Sequence, residues 1–229
     1  MTVTDFNIAV VDSDSHLSQW IIEQRRLDIS DKYCRLFEKY IPIGGTVVDA
    51  GACLGDHTAS YSEMVGPTGR VFAIESNPAA YRCLLHNMKP YLNVVKFMVA
   101  LGDRTGFARM TESPAEPNNL GAERVIYGEG SIPVRTLDDL LCVSCMDRLD
   151  FIKIDVEGRE PWVIEGALSL LGAFHPTLLI EVNKPVLAAF GKTECDIYRP
   201  LQALGYEIEP SEPHHTLSMP QLDVLCTRK

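Results

Sequence analysis

Four apolar runs in this 229-residue chain each end on a side chain that can do chemistry. Thr46–Val48 runs into Asp49, Arg70–Ile74 into Glu75, Leu149–Ile154 into Asp155, and Thr177–Ile180 into Glu181, with Asn183 two residues on. A carboxylate at such a point accepts strong charge-assisted bonds from a pair of hydroxyls. It can take a proton from an alcohol, which needs a base before it reacts. With an amide oxygen beside it, it can hold a hard cation. After Asp49 the chain reads AGACLGDHT, so small residues with Gly51 and Gly55 turn it sharply before an apolar pattern resumes near Asp56. A strand, a glycine turn and a helix N-terminus together make a binding edge of the nucleotide type.

Three ligands use such an edge. The pyrophosphate of a dinucleotide is usually cradled by G-x-G-x-x-G, whereas the spacing here is Gly51-x-x-x-Gly55, with Cys53 at the second glycine's place. An ATP-type loop ends in Gly-Lys-Ser/Thr, which the stretch lacks. S-adenosyl-L-methionine has no phosphate and needs room for its methionine end, polar groups for its ammonium and carboxylate, and an acid for its ribose. Glu75 is that acid, about twenty residues past the turn. Asp49 then orients the turn or reaches the ammonium through water. Gly51, Ala52, Cys53 and Gly55 offer close backbone approach, His57 and Thr58 stand beside them, Ser76 follows Glu75, and Ala100 and Leu101 fall where the adenine would lie. The plain alternatives are a tight turn at Gly51 and Gly55 and a helix N-terminal carboxylate at Glu75, near Ser76 and Pro78.

Alternating strands and helices must position these groups. Residues 1–16 read as an irregular or short β lead-in, and Trp20–Tyr40 carries apolar residues at helical spacing, with Asp31 as a cap. Strands are predicted at 46–48, 70–74, 93–100, 149–155 and 177–182, one from Gly205-Tyr206 onward, and a last at 222–227. Helices are predicted from Asp56 to Val65, from Pro78 to about Met88, from a Thr136 cap to Leu141, over 159–171, and over 184–204 with breaks near Gly191 and Pro200. Residues 101–130 are rich in turn formers and read as an excursion, with room for a β-hairpin, that helps shape a substrate site. The expectation is an α/β fold with a doubly wound, mostly parallel seven-stranded sheet and a C-terminal antiparallel edge hairpin. Residues 1–40 would pack on a core domain of residues 41–229.

In an open α/β sheet, chemistry lies beyond the carboxyl ends of the strands. Asp155, Glu181 and Asn183 meet there, and Lys153 shares a face with Asp155. Two functional readings are open. Asp155, with Glu181, acts as general base or orienter of an acceptor hydroxyl; or Asp155, Glu181 and Asn183 hold Mg²⁺ or another divalent cation. The bland account pairs a buried Lys153 with Asp155 or Glu181. Glu157 and Glu160 fit the dipole of the next helix, and Asp56 fits an N-cap. His57 is either a base near the methyl or a packing group, and His214-His215 either enters a lid or idles in a loop.

VVDAGACLGDHT, VFAIESNP, FIKIDVEGREPWVIEGA and LLIEVN together resemble the FkbM-type class I S-adenosylmethionine-dependent methyltransferases, from about Ile41 to the C-terminus. The resemblance implies a Rossmann-like fold and methylation of hydroxyl groups on sugars, polyketides and similar small-molecule acceptors. Cys53 stands where the family often has Asn, and its backbone serves equally well. Catechol-type O-methyltransferases, by analogy, use a metal held by carboxylate and Asn ligands at such strand ends. N-methylation, an NAD(P)-dependent oxidoreductase and a catalytically silent nucleoside-binding module are the rival readings.

Composition narrows the partners. With 46% hydrophobic and 23% charged residues the chain is ordinary for a globular protein. A net charge of -10 argues against nucleic acid, whose binding needs basic clusters. The longest apolar runs are too short to span a bilayer, which excludes a membrane role. The first residues have no basic, then apolar, leader pattern. Seven scattered cysteines, including the CVSC pair Cys142 and Cys145, fit thiols in a reducing cytoplasm.

Overall fold

The computed structural model describes residues 1–27, 37–112, 116–142, 145–212 and 214–228. The chain opens with a two-stranded antiparallel ladder, β1 (Thr2–Val3) and β2 (Ala9–Val10), followed by helix α1 (Leu17–Gln24). Asn87 ties this segment to the core: its Oδ1 accepts from Ala9 N at 2.7 Å, and its Nδ2 donates to Ala9 O and Leu54 O. Of the helix expected over Trp20–Tyr40, α1 and a single 3₁₀ turn at Glu38–Tyr40 are seen; residues 28–36, with Asp31, lie outside the described residues.

The main sheet then builds outward in both directions. β3 (Thr46–Ala50), α2 (Asp56–Val65), β4 (Arg70–Ile74), α3 (Pro78–Asn87) and β5 (Val94–Phe97) form one wing. An excursion follows, with β6 (Ala100–Leu101), β7 (Gly106–Thr111), β8 (Arg124–Tyr127), β9 (Ile132–Arg135) and α4 (Leu137–Leu141). The second wing holds β10 (Phe151–Ile154), α5 (Glu160–Glu165), α6 (Leu168–Phe174), β11 (Thr177–Asn183), α7 (Lys184–Ala189), α8 (Cys195–Ala203), β12 (Glu207–Pro210) and β13 (Gln221–Thr227). The seven-stranded order is β12-β13-β11-β10-β3-β4-β5. β13 inserts between β12 and β11 and runs antiparallel to both; the other pairings are parallel. This is the doubly wound α/β sheet with its antiparallel C-terminal edge.

Strand alternation divides the core into two layers. Val48, Ala50, Ile152, Ile154, Leu178 and Ile180 face α5, α6, α7 and α8, while Val47, Phe151, Val71, Ala73 and Leu179 face α1, α2 and α3. Parallel strands buried on both faces need such near-continuous apolar runs. Each fully buried side chain of this size contributes about 1.5–3 kcal/mol. Asp49 and Lys153 are register partners on the α2 face, so two polar groups enter a layer that is otherwise apolar.

Three expectations need correction. The strand predicted over 93–100 ends at Phe97; Ala100–Leu101 leaves the main sheet and pairs with β9 in a second sheet of order β6-β9-β7-β8. The helix predicted over 159–171 breaks between α5 and α6 at Gly166, where only glycine fits, since a Cβ there would lie 2.0 Å from Gly102 O on the excursion. Pro200 does not break α8 but sits inside it, so only the break at Gly191 is real. Thr136 caps α4 as expected, its hydroxyl accepting from Asp139 N at 3.0 Å. Among the described residues no helix is long and apolar enough to cross a membrane.

Candidate active site

The chain leaves β3 toward β4 on one side and returns through β10 toward β11 on the other, so a crevice opens beyond the ends of β3 and β10. Gly51 floors it. Its φ is +88°, and a Cβ there would lie 1.8 Å from Asp155 O, so only glycine lets the two strand ends approach. Gly51 N and Ala52 N both donate to Ile74 O at 3.0 Å, which ties the turn to the tip of β4. Gly55, with φ +95°, serves packing instead: its absent Cβ would meet Met88 Cε at 2.8 Å and Leu84 Cδ1 at 2.9 Å. Gly55, not Asp56, holds the cap position of α2, and Asp56 is the helix's first residue.

Glu75 closes β4 and is nearly buried. Its Oε2 accepts from Cys53 N at 2.8 Å and its Oε1 from Asn77 N at 2.5 Å. The carboxyl thus clamps the glycine turn to the start of α3, while each oxygen keeps a further lone pair. Burial raises its pKa to about 7, against the lowering pull of those amides. Asn77 caps α3 by accepting from Ala79 N and Ala80 N.

Lys153 lies between two acids. Its Nζ donates to Asp155 Oδ2 at 2.9 Å, and its backbone register places it beside Asp49. Burial works against its charge, yet Asp155 and Asp49 hold it well above the ordinary lysine value. Asp49 is fully buried; its Oδ2 accepts from Thr58 Oγ1 at 2.5 Å, and its Oδ1 has no hydrogen-bond donor among the described residues. Burial raises Asp49, with Lys153 and Thr58 opposing. His57 is driven well below its ordinary value by burial and then by the Lys153 charge, so it is a neutral ring, 5.9 Å from that of Tyr61.

A cavity of about 200 Å³ joins these groups. Gly51, Cys53, His57, Glu75, Ser76, Ala100, Leu101 and Asp155 line it, together with Met110, Glu123 and Val125 from the excursion and Leu17 from α1. Asp49, Ala52, Gly55 and Thr58 do not line it. Asp49 and Thr58 bond each other behind the sheet, Ala52 is buried, and Gly55 packs on α3.

Asp155, Glu157 and Glu181 bring carboxylate oxygens within 4.8 Å of one another. Asn183, at the end of β11, accepts from Val186 N at 3.3 Å through its side-chain oxygen and caps α7. Glu157, read from sequence as a helix-dipole residue, joins Asp155 and Glu181, held at φ +53° beside Gly158 at φ +91°. Non-glycine residues in that region are uncommon and often sit at functional sites. Burial raises Glu157 to about 9, with Asp155 and Glu181 adding repulsion. Burial and Asp155 raise Glu181 to about 8. Glu181 accepts from Gln221 Nε2 at 2.8 Å and stands behind the cavity rather than on it. Glu160 folds back to accept from Val156 N and Gly158 N, so it closes the turn after β10. Arg159, which sequence reasoning passes over, also lines the cavity, and a single Arg in a GRE triplet carries no spacing signal that would have found it. His214 lies 3.3 Å from Glu212, away from the crevice residues.

A doubly wound sheet of this strand order, with a glycine turn at the switch point and an acid at the next strand's tip, has the architecture of class I S-adenosylmethionine-dependent methyltransferases. Residues 49–208 match the methyltransferase FkbM domain, and the chain belongs to that family of S-adenosylmethionine-dependent methyltransferases. The methyltransferase FkbM from Methylobacillus flagellatus KT is 21% identical, with a TM-score of 0.52 over 80% of this chain and 43% of that one. The chain therefore spans less than half the length of that relative. The precorrin-6y C5,15-methyltransferase of Geobacter metallireducens GS-15 superposes with a TM-score of 0.53 at 13% identity, over 100% of this chain and 98% of that one. The fibrillarin pre-rRNA processing protein of Methanococcus jannaschii gives 0.50 at 15% identity, over 100% and 84%. At these identities the likeness is one of fold. No curated protein sequence matches the chain.

Proposed function

We propose that this chain transfers the methyl group of S-adenosylmethionine to a hydroxyl of a small metabolite or sugar. The observation that carries the reading is Glu75: a buried carboxyl at the tip of β4, sharing one cavity with the glycine turn and with Asp155. The donor set fits the cofactor. Glu75 keeps lone pairs for two ribose hydroxyls, Gly51 and Cys53 give backbone access, and Ala100 and Leu101 give an apolar wall for the adenine. Asp49, Ala52, Gly55 and Thr58 support the turn from behind.

The cofactor supplies an electrophilic methyl on a sulfonium that leaves as a neutral thioether. The chain's share is positioning and proton transfer. Asp155 takes the hydroxyl proton as the acceptor oxygen closes on the methyl carbon. Lys153, bonded to Asp155 Oδ2, fixes the carboxylate so that Oδ1 meets the acceptor. Glu181 is a positioning residue that acts through Asp155 and Glu157. No step of this reading is routed through a metal. A small acceptor in the cytoplasm agrees with the charge of -10, which disfavours a phosphate backbone.

Calorimetry with S-adenosylmethionine, S-adenosylhomocysteine and NAD tests the reading. Both sulfur nucleosides should bind and NAD should not; binding of NAD alone would overturn it. Screening hydroxylated and amine acceptors for S-adenosylhomocysteine release separates O- from N-methylation.

A further inference from the structure

Arg159 is only 7% exposed, yet among the described residues no carboxylate lies within ion-pair distance of its guanidinium. Buried charges are ordinarily paired, since leaving one alone costs several kcal/mol. Three aromatic rings surround it instead. Its Cζ lies 4.1 Å from the centroid of Phe190, 4.3 Å from Tyr127 and 4.8 Å from Trp162. Trp162 stands edge-on to both of the others, at 6.3 Å with interplanar angles of 86° and 87°. Tyr127 is fixed by its hydroxyl, which donates to Leu101 O, and Gly158 leaves the space into which Phe190 packs.

Such a cage stabilises a cation through its ring faces, but faces accept none of the in-plane N–H groups. One of these is satisfied: Nε donates to Val125 O at 2.8 Å. The terminal nitrogens have no acceptor among the described residues, and Arg159 lines the same cavity as Glu75 and Asp155. The nearest acid in sequence, Glu160, turns its Oε1 to the amides of Val156 and Gly158 instead.

We propose that Arg159 is the receptor for an oxyanion, a carboxylate or a phosphate group, carried by the acceptor substrate. The free fork of its guanidinium matches either group in two parallel bonds, and the cage holds the fork in place before the ligand arrives. The cavity's other cation, Lys153, is already bonded to Asp155, and the remaining charged groups on the wall are acids, so Arg159 is the cation left for an anionic acceptor. The assignment of the anion to the acceptor rests on the methyl-transfer reading; the anion site itself does not.

Trp162 reports on the site, because its ring packs on the guanidinium and Trp20 is the other tryptophan of the chain. In a Trp20→Phe background, the protein saturated with S-adenosylhomocysteine is titrated with acetate and, separately, with methyl phosphate at constant ionic strength. Saturable fluorescence change with one of them is expected, and which one responds separates carboxylate from phosphate. Arg159→Lys keeps a cation in the cage but loses the fork, and should weaken the response roughly tenfold. Arg159→Met should abolish it, and both variants should leave S-adenosylhomocysteine affinity unchanged. No saturable response to either anion, or the same response in Arg159→Lys, would overturn the proposal. Loss of S-adenosylhomocysteine affinity in Arg159→Lys would also overturn it, by giving the fork to the cofactor's own carboxylate. If S-adenosylhomocysteine fails to bind the parent protein, the methyl-transfer reading falls, and the same titration without it still tests the anion site.

Discussion

Replacing Glu75 with glutamine tests the ribose assignment through its pH dependence as well as its size. Without a ligand to donate to it, the carboxyl titrates near 7 rather than 4.5, because burial outweighs the backbone amides that it accepts. At about 1.4 kcal/mol per pH unit, holding Glu75 ionised in the free protein costs about 3 kcal/mol. Ribose hydroxyls that donate to the carboxylate offset that cost and lower the pKa in the complex. Affinity for S-adenosylhomocysteine should therefore be flat above pH 7 and fall roughly tenfold by pH 6, where most of the free protein carries the proton. Glu75→Gln loses the charged acceptor, worth about 2 kcal/mol or roughly thirtyfold at pH 8. The variant has no such proton to lose, so the gap should narrow to about threefold at pH 6. Asp56 and Glu160 also titrate near 7, but they are common to both proteins and drop out of the comparison. Calorimetry at pH 6, 7 and 8 in two buffers of different ionisation enthalpy reads both the affinity and the proton release. Parallel pH profiles for the two proteins, or equal affinity at pH 8, would refute the argument, leaving Glu75 as no more than the clamp between Cys53 and Asn77.

Gly51→Ala should cost more than about 3 kcal/mol in urea unfolding, because its Cβ would meet Asp155 O at 1.8 Å in a left-handed backbone; a loss under 1 kcal/mol would show that β3 and β10 can part there. Asp155→Asn should lower turnover by at least about a hundredfold while S-adenosylmethionine affinity changes little, and collapse of affinity with turnover retained would move Asp155 into the cofactor site. Glu157 and Glu181 have raised pKa values in the fold, so the folded state holds more protons than the unfolded one between about 4.5 and 8–9, and stability should fall as pH rises through that window. Glu157→Gln should flatten that fall in urea melts between pH 6 and 9; an unchanged slope would contradict the proposed crowding of acids. Dialysis against EDTA should leave turnover intact, whereas a loss restored by Mg²⁺ would put Asp155, Glu157 and Glu181 on a cation.

What could be read from residue order and what could not divide along a physical line. Runs such as Thr46–Ala50, Arg70–Ile74 and Thr177–Asn183 are strands for local reasons, each preceded by glycine or proline and mostly apolar, and the sequence places them within a residue or two. Because these runs alternate with helices, the doubly wound order follows, and with it the meeting of Gly51, Glu75 and Asp155 at one crevice. What residue order leaves out is a role set by a partner far along the chain. Gly55 carries the same local signal as Gly51, yet one faces Leu84 and Met88 and the other faces Asp155. Asn183 sits at a strand end as a cation ligand would, and the proline that follows Lys184 starts a helix whose amide at Val186 also draws on its oxygen. Asp49 points, by strand parity, into the layer under α2, where Thr58 and Lys153 meet it, and that parity was available from the shared face of Phe151 and Lys153. Arg159 is the extreme case. Its three aromatic neighbours come from β8, α5 and the end of α7, and only the closed fold brings them together around a charge that has no ion-pair partner among the described residues.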